Sequence, residues 1–167
     1  VNLVEYHTLP VLHLRLTVRA GSSTDPANLP GLAAATGDMI KEGTRTKSSA
    51  QIAETIEFVG GSITVLTTAD VTTIGISVLK EHAQTALALL SEIVVEPTFP
   101  QVEINKYKNR ERDRLTRSQN DPGWLMQRAF AQAIYGDAHP YGHVDTNPAA
   151  LGRMTRARTK ISAAMKG

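Results

Sequence analysis

The chain contains 167 residues, a length typical of a single domain. Hydrophobic residues make up 41% of it and charged residues 20%, which fits a globular fold and excludes a disordered chain. The net charge is only +2, so bulk charge does not point to a nucleic acid partner. No apolar run approaches the roughly 18 residues of a membrane span. Because there is no cysteine, disulfides, iron–sulfur clusters and thiolate zinc sites are excluded.

The first part of the chain predicts strands followed by a helix. Apolar and polar residues alternate over 12–19, which predicts a strand with one buried face, and a further strand is predicted over 1–6. Turn-forming residues over 20–29 predict a loop. Pro30 opens a predicted helix through about Lys41, and Gly43 is its stop signal.

The remaining elements predict a mixture of helices and one hairpin. Ser48 and Gln51 have the spacing of a capping box, and the helix they open ends at Gly60-Gly61. A β-hairpin is predicted next, with strands over 62–68 and 71–79. Three helices are predicted after it, over 81–95, 101–119 and 121–135. A short last helix is predicted to begin at Asn147-Pro148. This irregular order predicts an α+β fold with a largely antiparallel sheet packed by helices.

Two neighbouring segments carry the most specific motif. Residues 18–22 (VRAGS) precede residues 31–44 (GLAAATGDMIKEGT). Both resemble the pitrilysin/insulinase family of zinc peptidases, which includes the mitochondrial processing peptidases, where V-x-A-G-S leads into G-L-A-H-x-x-E-H-M-x-x-x-G-T. Further matches lie at Gly60-Gly61 and the hairpin, at Asn120-Asp121-Pro122 and at His139-Pro140-Tyr141-Gly142.

The matches follow the family's order and approximate spacing. The resemblance therefore implies one peptidase-like domain over 1–155, followed by an unmatched helical tail over 156–167. A full subunit of this family carries a second similar domain, so we expect this chain to be cut short before that domain.

The sequence departs from the family at the positions that bind and use zinc. In active members two histidines four residues apart bind zinc, and a glutamate activates the bound water. The resemblance places Ala34 and Asp38 at the histidine positions, Gly37 at the glutamate position and Arg114 at a third ligand position. One carboxylate cannot hold a catalytic zinc, which takes three protein ligands. We therefore expect neither a metal ion nor a catalytic residue in this chain.

The substitutions suggest two structural hypotheses. Asp38 and Arg114 carry opposite charges, so we predict an ion pair in which the guanidinium fills the space of the metal. The alternative is that both side chains point to solvent, since exposed pairs contribute little. A glycine such as Gly37 costs about 1 kcal/mol of stability relative to alanine inside a helix. Close packing against a neighbour is the favoured explanation for its presence, and the alternative is that the position no longer needs a catalytic side chain.

A basic segment and a histidine pair are weaker candidates for function. Residues 106–117 carry six basic and two acidic side chains, a local excess of four positive charges. The favoured interpretation is a helix face exposed to solvent, and the alternative is a face that binds phosphate. If the resemblance holds, Arg110 and Arg112 could contact acidic parts of a bound peptide. His139 and His143 are spaced like metal ligands, but Pro140 and Gly142 between them favour a turn.

The resemblance implies a non-catalytic, zinc-less subunit or domain that shapes the peptide-binding chamber for a zinc-bearing partner of the same family. An unfolded peptide would be the substrate, and no cofactor would be bound. Two alternatives stay open: an active zinc-dependent endopeptidase with unrecognised ligands, and a nucleic-acid-binding module that uses the basic helix around Arg110 to Arg117. Whether the chain is itself an enzyme is also open. No signal peptide is recognisable, and analogy favours the bacterial periplasm or another exported location.

Overall fold

The computed structural model describes residues 2–4, 9–137, 139–143, 145–156 and 159. Within them, three strands and six α-helices follow one another in an order that confirms the predicted α+β class. The strands are β1 (Val11–Val18), β2 (Ser62–Thr67) and β3 (Thr72–Leu79). The helices are α1 (Leu32–Met39), α2 (Ser49–Phe58), α3 (Ala83–Val95), α4 (Gln101–Ser118), α5 (Pro122–Tyr135) and α6 (Pro148–Arg153).

The three strands form one antiparallel sheet in the order β1-β3-β2. Ile74 at the centre of β3 pairs with Leu16 on one side and Val65 on the other. Alternate residues of β3 point into the core, so Ile74 and Ile76 are almost completely buried. In the described part of the chain, the outer edges of β1 and β2 have no strand partner.

Two hydrophobic clusters hold the helices in place. The first lies between the sheet and helices α2 and α3, and its almost completely buried members include Ile52, Ile74, Ile76, Leu89 and Ile93. The second joins α1, α4 and α6, with a centre formed by Leu32, Met39, Phe99, Tyr107, Leu115 and Leu151. Helix α1 packs against α4 in this second cluster while it also contacts β2. It therefore connects the sheet to the helical layer.

The helix starts follow the local signals in the sequence. Ser48 Oγ accepts a hydrogen bond from Gln51 N (3.3 Å), and Gln51 Oε1 accepts one from Ser48 N (2.9 Å), which confirms the capping box. Asp121 caps α5 through Gly123 N and Trp124 N.

The structure differs from the predicted bounds of one helix and leaves two predicted segments largely untested. Helix α1 begins at Leu32 instead of Pro30, because the left-handed Gly31 (φ 86°) precedes it as its N-cap. It ends at Met39, before the predicted end near Lys41. Residues 2–4 have no regular structure, while the rest of the strand predicted over 1–6 lies outside the described residues. The tail predicted over 156–167 also lies almost entirely outside them. In the described residues no helix is long and apolar enough to cross a bilayer.

Candidate functional site

Helix α1 carries three of the four motif positions, and its start is anchored by one carboxylate. Asp25 Oδ2 accepts a hydrogen bond from Gly31 N (2.8 Å), and Oδ1 accepts one from Ala33 N (2.7 Å). These two bonds satisfy backbone donors at the start of the helix, where a negative charge is also favoured by the helix dipole. The orientation of α1, and with it the direction of the motif positions, is therefore set by its own loop.

The other end of the motif segment is attached to helix α3. Glu92 accepts hydrogen bonds from Thr44 Oγ1 (2.5 Å), Lys47 Nζ (2.6 Å) and the Thr46 hydroxyl. The hydrogen bonds from Lys47, Thr44 and Thr46 lower the pKa of Glu92 to about 2. Sequence analysis gave no indication of this contact, because its partners are 45 to 48 residues apart in the chain.

Ala34, at the first histidine position, lines a cleft of about 170 Å³ next to the start of α1. Asp25, Thr67, His143 and Asp145 lie on other sides of the same cleft. A methyl group offers no lone pair to a metal ion. The cleft at this position is therefore bounded by an inert side chain on its α1 side.

Gly37, at the glutamate position, is pressed against strand β2. A Cβ atom at this position would lie 2.6 Å from Thr67 Oγ1 and 3.3 Å from Val65 Cγ1. Real Cβ atoms essentially never approach a neighbour as closely as 2.6 Å. This contact supports close backbone packing as the reason for a glycine inside α1. A glutamate here would require α1 or Thr67 to move.

Asp38, at the second histidine position, is half-buried at the end of α1 that faces α4. Burial raises the pKa of its carboxyl group, the positive charge of Arg110 opposes that change, and the negative charge of Glu111 adds to it. Arg110 is thus the principal basic residue that acts on Asp38.

The predicted ion pair between Asp38 and Arg114 is wrong, because Arg114 is bound to two other carboxylates. Its Nη1 and Nη2 donate to the two carboxylate oxygens of Asp145 at 2.8 and 2.6 Å, and its Nε donates to Glu111 Oε2 at 2.8 Å. The hydrogen bonds to Asp145 contribute most to the raised pKa of Arg114. A planar guanidinium matches a carboxylate through two parallel hydrogen bonds, which is the geometry that Asp145 provides.

Asp145 is the centre of this network, and sequence analysis missed it. It also accepts hydrogen bonds from Trp124 Nε1 (3.1 Å) and from Thr146 N (2.8 Å). Burial alone would raise the pKa of Asp145, but the hydrogen bonds from Arg114 and Trp124 outweigh it and leave the pKa below its usual range. The network joins α4, the start of α5 and the segment before α6. No periodic pattern marks such a long-range pairing.

Comparison with known proteins identifies the family. The family model described as Insulinase (Peptidase family M16) matches residues 1–141. The chain belongs to the M16 peptidase family. An uncharacterized zinc protease, YmxG of Bacillus subtilis, is 29% identical over 126 residues, which are 75% of this chain and 31% of that protein. A non-peptidase homolog, YmxG of Helicobacter pylori, is 27% identical over 133 residues, or 80% of this chain and 31% of that protein. The chain thus spans about a third of the length of these M16 relatives.

Solved structures agree with this assignment. The inactive M16 domain from Pseudomonas fluorescens is 31% identical to this chain, with a TM-score of 0.91 over 96% of this chain and 39% of that one. Pitrilysin matches with a TM-score of 0.79 at 22% identity, over 95% of this chain and 17% of that one, and this likeness shows the fold alone.

In this M16 chain the four motif positions do not fit a zinc ion. Ala34 and Gly37 have no ligand atom, and Asp38 supplies one carboxylate. The fourth position, Arg114, holds a fixed positive charge that is bonded to Asp145 and Glu111. In the described ranges no three His, Asp or Glu side chains are grouped so that they could hold a metal. The donor chemistry of these positions therefore disagrees with zinc.

Four basic residues of α4 are exposed, as a solvated helix face requires: Lys106, Arg110, Arg112 and Arg117. Lys108 and Arg114 are half-buried. Lys106 pairs with Glu103 (2.9 Å) one turn earlier. The guanidinium of Arg110 lies 5.6 Å from the centre of the Tyr107 ring. Both Arg110 and Arg112 are exposed, so contact with a peptide through them stays a prediction.

The two histidines near the end of the M16 match occupy a turn, as the sequence indicated. Residues Pro140–Gly142 form one turn of 3-10 helix, and His139 Nδ1 accepts a hydrogen bond from Tyr141 N (3.2 Å). The His139 ring stacks on Tyr135 with 5.3 Å between ring centres, while His143 lines the cleft beside Ala34. A metal pair formed by His139 and His143 has no support in this arrangement.

Proposed function

We propose that this chain is a non-catalytic M16 domain that shapes a peptide-binding chamber, with hydrolysis performed by a zinc-bearing member of the same family. The observation that carries this proposal is the Arg114 network. A cation held by three hydrogen bonds stands at the position of a zinc-binding glutamate, and its two carboxylate partners are used in holding it. The site has become a structural connection between helices.

The comparisons support a non-catalytic role. The relative in Helicobacter pylori is called a non-peptidase homolog, and the Pseudomonas fluorescens domain, which has the same fold along 96% of this chain, is called inactive. The zinc protease YmxG of Bacillus subtilis is more than three times as long as the region that matches this chain. The zinc-bearing partner is therefore part of the proposal.

Two features of the surface are suited to binding an extended peptide. Strand β2 has a free outer edge in the described part of the chain, where a peptide backbone could form ladder hydrogen bonds. The strand lies against α1, so this edge is close to the former motif. Arg110 and Arg112 on α4 add two exposed positive charges that favour acidic side chains in the peptide.

The deciding experiment is a peptidase assay on quenched fluorescent peptides, with the chain alone and with the zinc-bearing M16 protein of the same organism. We expect no hydrolysis by the chain alone, zinc far below one equivalent per chain in metal analysis, and an increase in kcat/KM of the partner on mixing. Chelator-sensitive hydrolysis by the chain alone, or a partner whose rate is unaffected by this chain, would contradict the proposal.

A charge reversal tests the peptide-binding surface separately. In the mixed assay the double variant Arg110→Glu with Arg112→Glu is expected to raise KM for acidic peptides and to leave neutral peptides unchanged. The matched control is Arg15→Glu with Arg19→Glu, which makes the same change of charge at two exposed positions, one in strand β1 and one directly after it. Equal effects of the two double variants would show that only overall charge matters. An exported location is likewise a proposal, tested by fractionation of cells.

A further inference from the structure

A small cleft of about 100 Å³ lies between helix α5 and the segment that precedes α6, and we call it the α5 cleft. Trp124, Arg128 and Gln132 line it from α5, and their spacing of four residues puts them on one face of that helix. Four wall residues come from the segment before α6 and its cap: His143, Asp145, Thr146 and Asn147. Sites for whole small-molecule ligands have roughly 300–1,000 Å³, so this cleft has room for one functional group of a larger molecule.

The two acidic side chains of the α5 cleft already accept hydrogen bonds from the protein. Asp145 accepts four, two of them from Arg114 and the others from Trp124 Nε1 and Thr146 N, and Arg114 also offsets its charge. Asp137 Oδ1 accepts one from Gln132 Nε2 (2.7 Å). Asp137 is exposed, so water and salt screen its charge. The acceptors of the cleft are therefore largely in use.

The donors of the same cleft are in the opposite situation. The Arg128 guanidinium lies 5.4 Å from the centre of the Trp124 ring, and it has no hydrogen-bond or ion-pair partner in the described part of the chain. Asn147 uses Oδ1 to cap α6 through Ala150 N (2.8 Å), which leaves both N–H groups of its Nδ2 available. Thr146 Oγ1 is buried and has no partner among the described residues, although buried hydroxyl groups are nearly always hydrogen-bonded.

We propose that the α5 cleft binds a carboxylate group, with the Arg128 guanidinium as its principal donor and Asn147 Nδ2 as the second. An ionised carboxylate only accepts hydrogen bonds, so it matches a cleft whose available groups are donors. A guanidinium binds it through charge-assisted bonds, which are stronger than bonds between neutral groups. The Thr146 hydroxyl at the wall gains an acceptor in the same event.

The acidic residues beside the cleft favour a carboxylate over a phosphate group. A carboxylate carries one negative charge, whereas a phosphate group carries up to two and is repelled more strongly by Asp137 and Asp145. The carboxylate belongs either to the end of a peptide chain or to an acidic side chain, and the two sources offer the cleft the same group.

The single tryptophan gives a direct readout of the α5 cleft. Trp124 Nε1 is bonded to Asp145 in the wall, and the chain has one indole N–H signal in a nitrogen–proton correlation spectrum. Titration of the chain with N-acetylglycine, which carries a chain-end carboxylate, is expected to shift this signal until it saturates. The amide of N-acetylaspartate, with its carboxylate on the side chain, tests the second source at the same ionic strength. The neutral amide of N-acetylglycine is expected to cause no saturable shift, and inorganic phosphate is expected to bind more weakly than the carboxylates.

Two substitutions remove the proposed donors without removing a structural contact. Arg128→Gln keeps a polar side chain on α5 but no charge, and it is expected to weaken binding by about tenfold or more. Asn147→Asp keeps the oxygen that caps α6 and replaces the N–H groups by a negative charge, so binding is expected to be lost at an unchanged Tm. The matched controls are Arg15→Gln and Asn109→Asp, which make the same changes of charge at exposed positions outside the cleft and are expected to bind like the unmodified chain.

Four results would overturn the proposal. They are no saturable shift with either carboxylate, equal binding of the neutral amide, tighter binding of phosphate, and unchanged binding in Arg128→Gln or Asn147→Asp. A saturable shift with one or both carboxylates that these two variants abolish or weaken supports it, and the compound that binds more tightly identifies the source. The measurement uses no peptidase partner, so this inference and the proposed function can fail separately.

Discussion

Replacing Arg114 by methionine removes the cation that joins α4 to the segment before α6 and keeps an unbranched apolar side chain. Asp145 then loses both bonds from the guanidinium, and Glu111 loses its only partner in the described part of the chain. The two carboxylate side chains are only 16% and 11% exposed, so water cannot fully replace the lost bonds. Two nearby negative charges are left without a counterion.

The expected loss lies between two known limits. Removing one partner of a fully buried ion pair costs about 3–5 kcal/mol, while exposed pairs contribute about 0.2–1 kcal/mol. Arg114 itself is 38% exposed, so water screens part of the interaction, and Asp145 keeps its bonds from Trp124 and Thr146. We therefore expect the free energy of unfolding to fall by about 2 kcal/mol, which corresponds to about 4–8 °C in Tm for a chain of this length.

Urea unfolding followed by circular dichroism measures this loss, and pH identifies its source. The pKa of folded Asp145 is lowered, so its contribution is complete above the usual carboxyl pKa of about 3.9 and disappears as pH falls through the lower pKa of the folded state. In the Arg114→Met chain, the part of this lowering that the guanidinium supplies is lost. The difference between the two chains is therefore expected to shrink below about pH 4.

The matched control is Arg112→Met on the exposed side of the same helix, where the guanidinium is 3.5 Å from Asn109 Oδ1. We expect it to change stability by less than about 0.5 kcal/mol. If Arg114→Met cost no more than this control, or if its effect were the same at pH 3 and pH 7, the network would not hold the helices together.

Three further substitutions have clear expected outcomes. Gly37→Ala is expected to lower the free energy of unfolding by about 1–2 kcal/mol, because the added Cβ would lie 2.6 Å from Thr67 Oγ1. In a Thr67→Ala background the same change is expected to stabilise the chain, since alanine has the higher helix propensity. The Glu92 carboxylate stabilises the folded chain fully above about pH 4.5, and this contribution is lost as pH falls towards its pKa of about 2. Glu92→Gln is expected to remove the contribution, so the free energy of unfolding should depend less on pH in this acid range. Trp124→Phe removes the indole donor to Asp145 and is expected to cost about 1 kcal/mol in urea unfolding.

Local features of this fold could be predicted from the sequence. The capping box at Ser48 and the cap at Asp121 depend on residues within three positions of each other, and both occur as predicted. The hairpin of β2 and β3 is likewise a local signal. Such signals act over short distances in the chain, so one sequence contains both partners in a recognisable order.

The contacts that define the candidate site could not be predicted in this way. The sequence shows that Arg114 departs from the family motif, but its partner Asp145 is 31 residues away in the chain. No sequence spacing indicates that Asp145, and not Asp38, is the carboxylate that pairs with it. The packing explanation for Gly37 was favoured, yet Thr67 could not be named as its neighbour. Which side of α5 is covered also depends on tertiary packing, because an amphipathic pattern does not reveal it.

The short distance between α1 and β2 affects whether this chain could acquire a glutamate at position 37. A mutation that restored only the glutamate at position 37 would insert a side chain into space already filled by Thr67 Oγ1. The first step of any such reversion would therefore lower stability before it supplied any catalytic benefit. A smaller residue at position 67, or a slight outward shift of α1, would have to come first. The packing of α1 on β2 thus makes a glutamate at position 37 difficult to introduce by a single substitution.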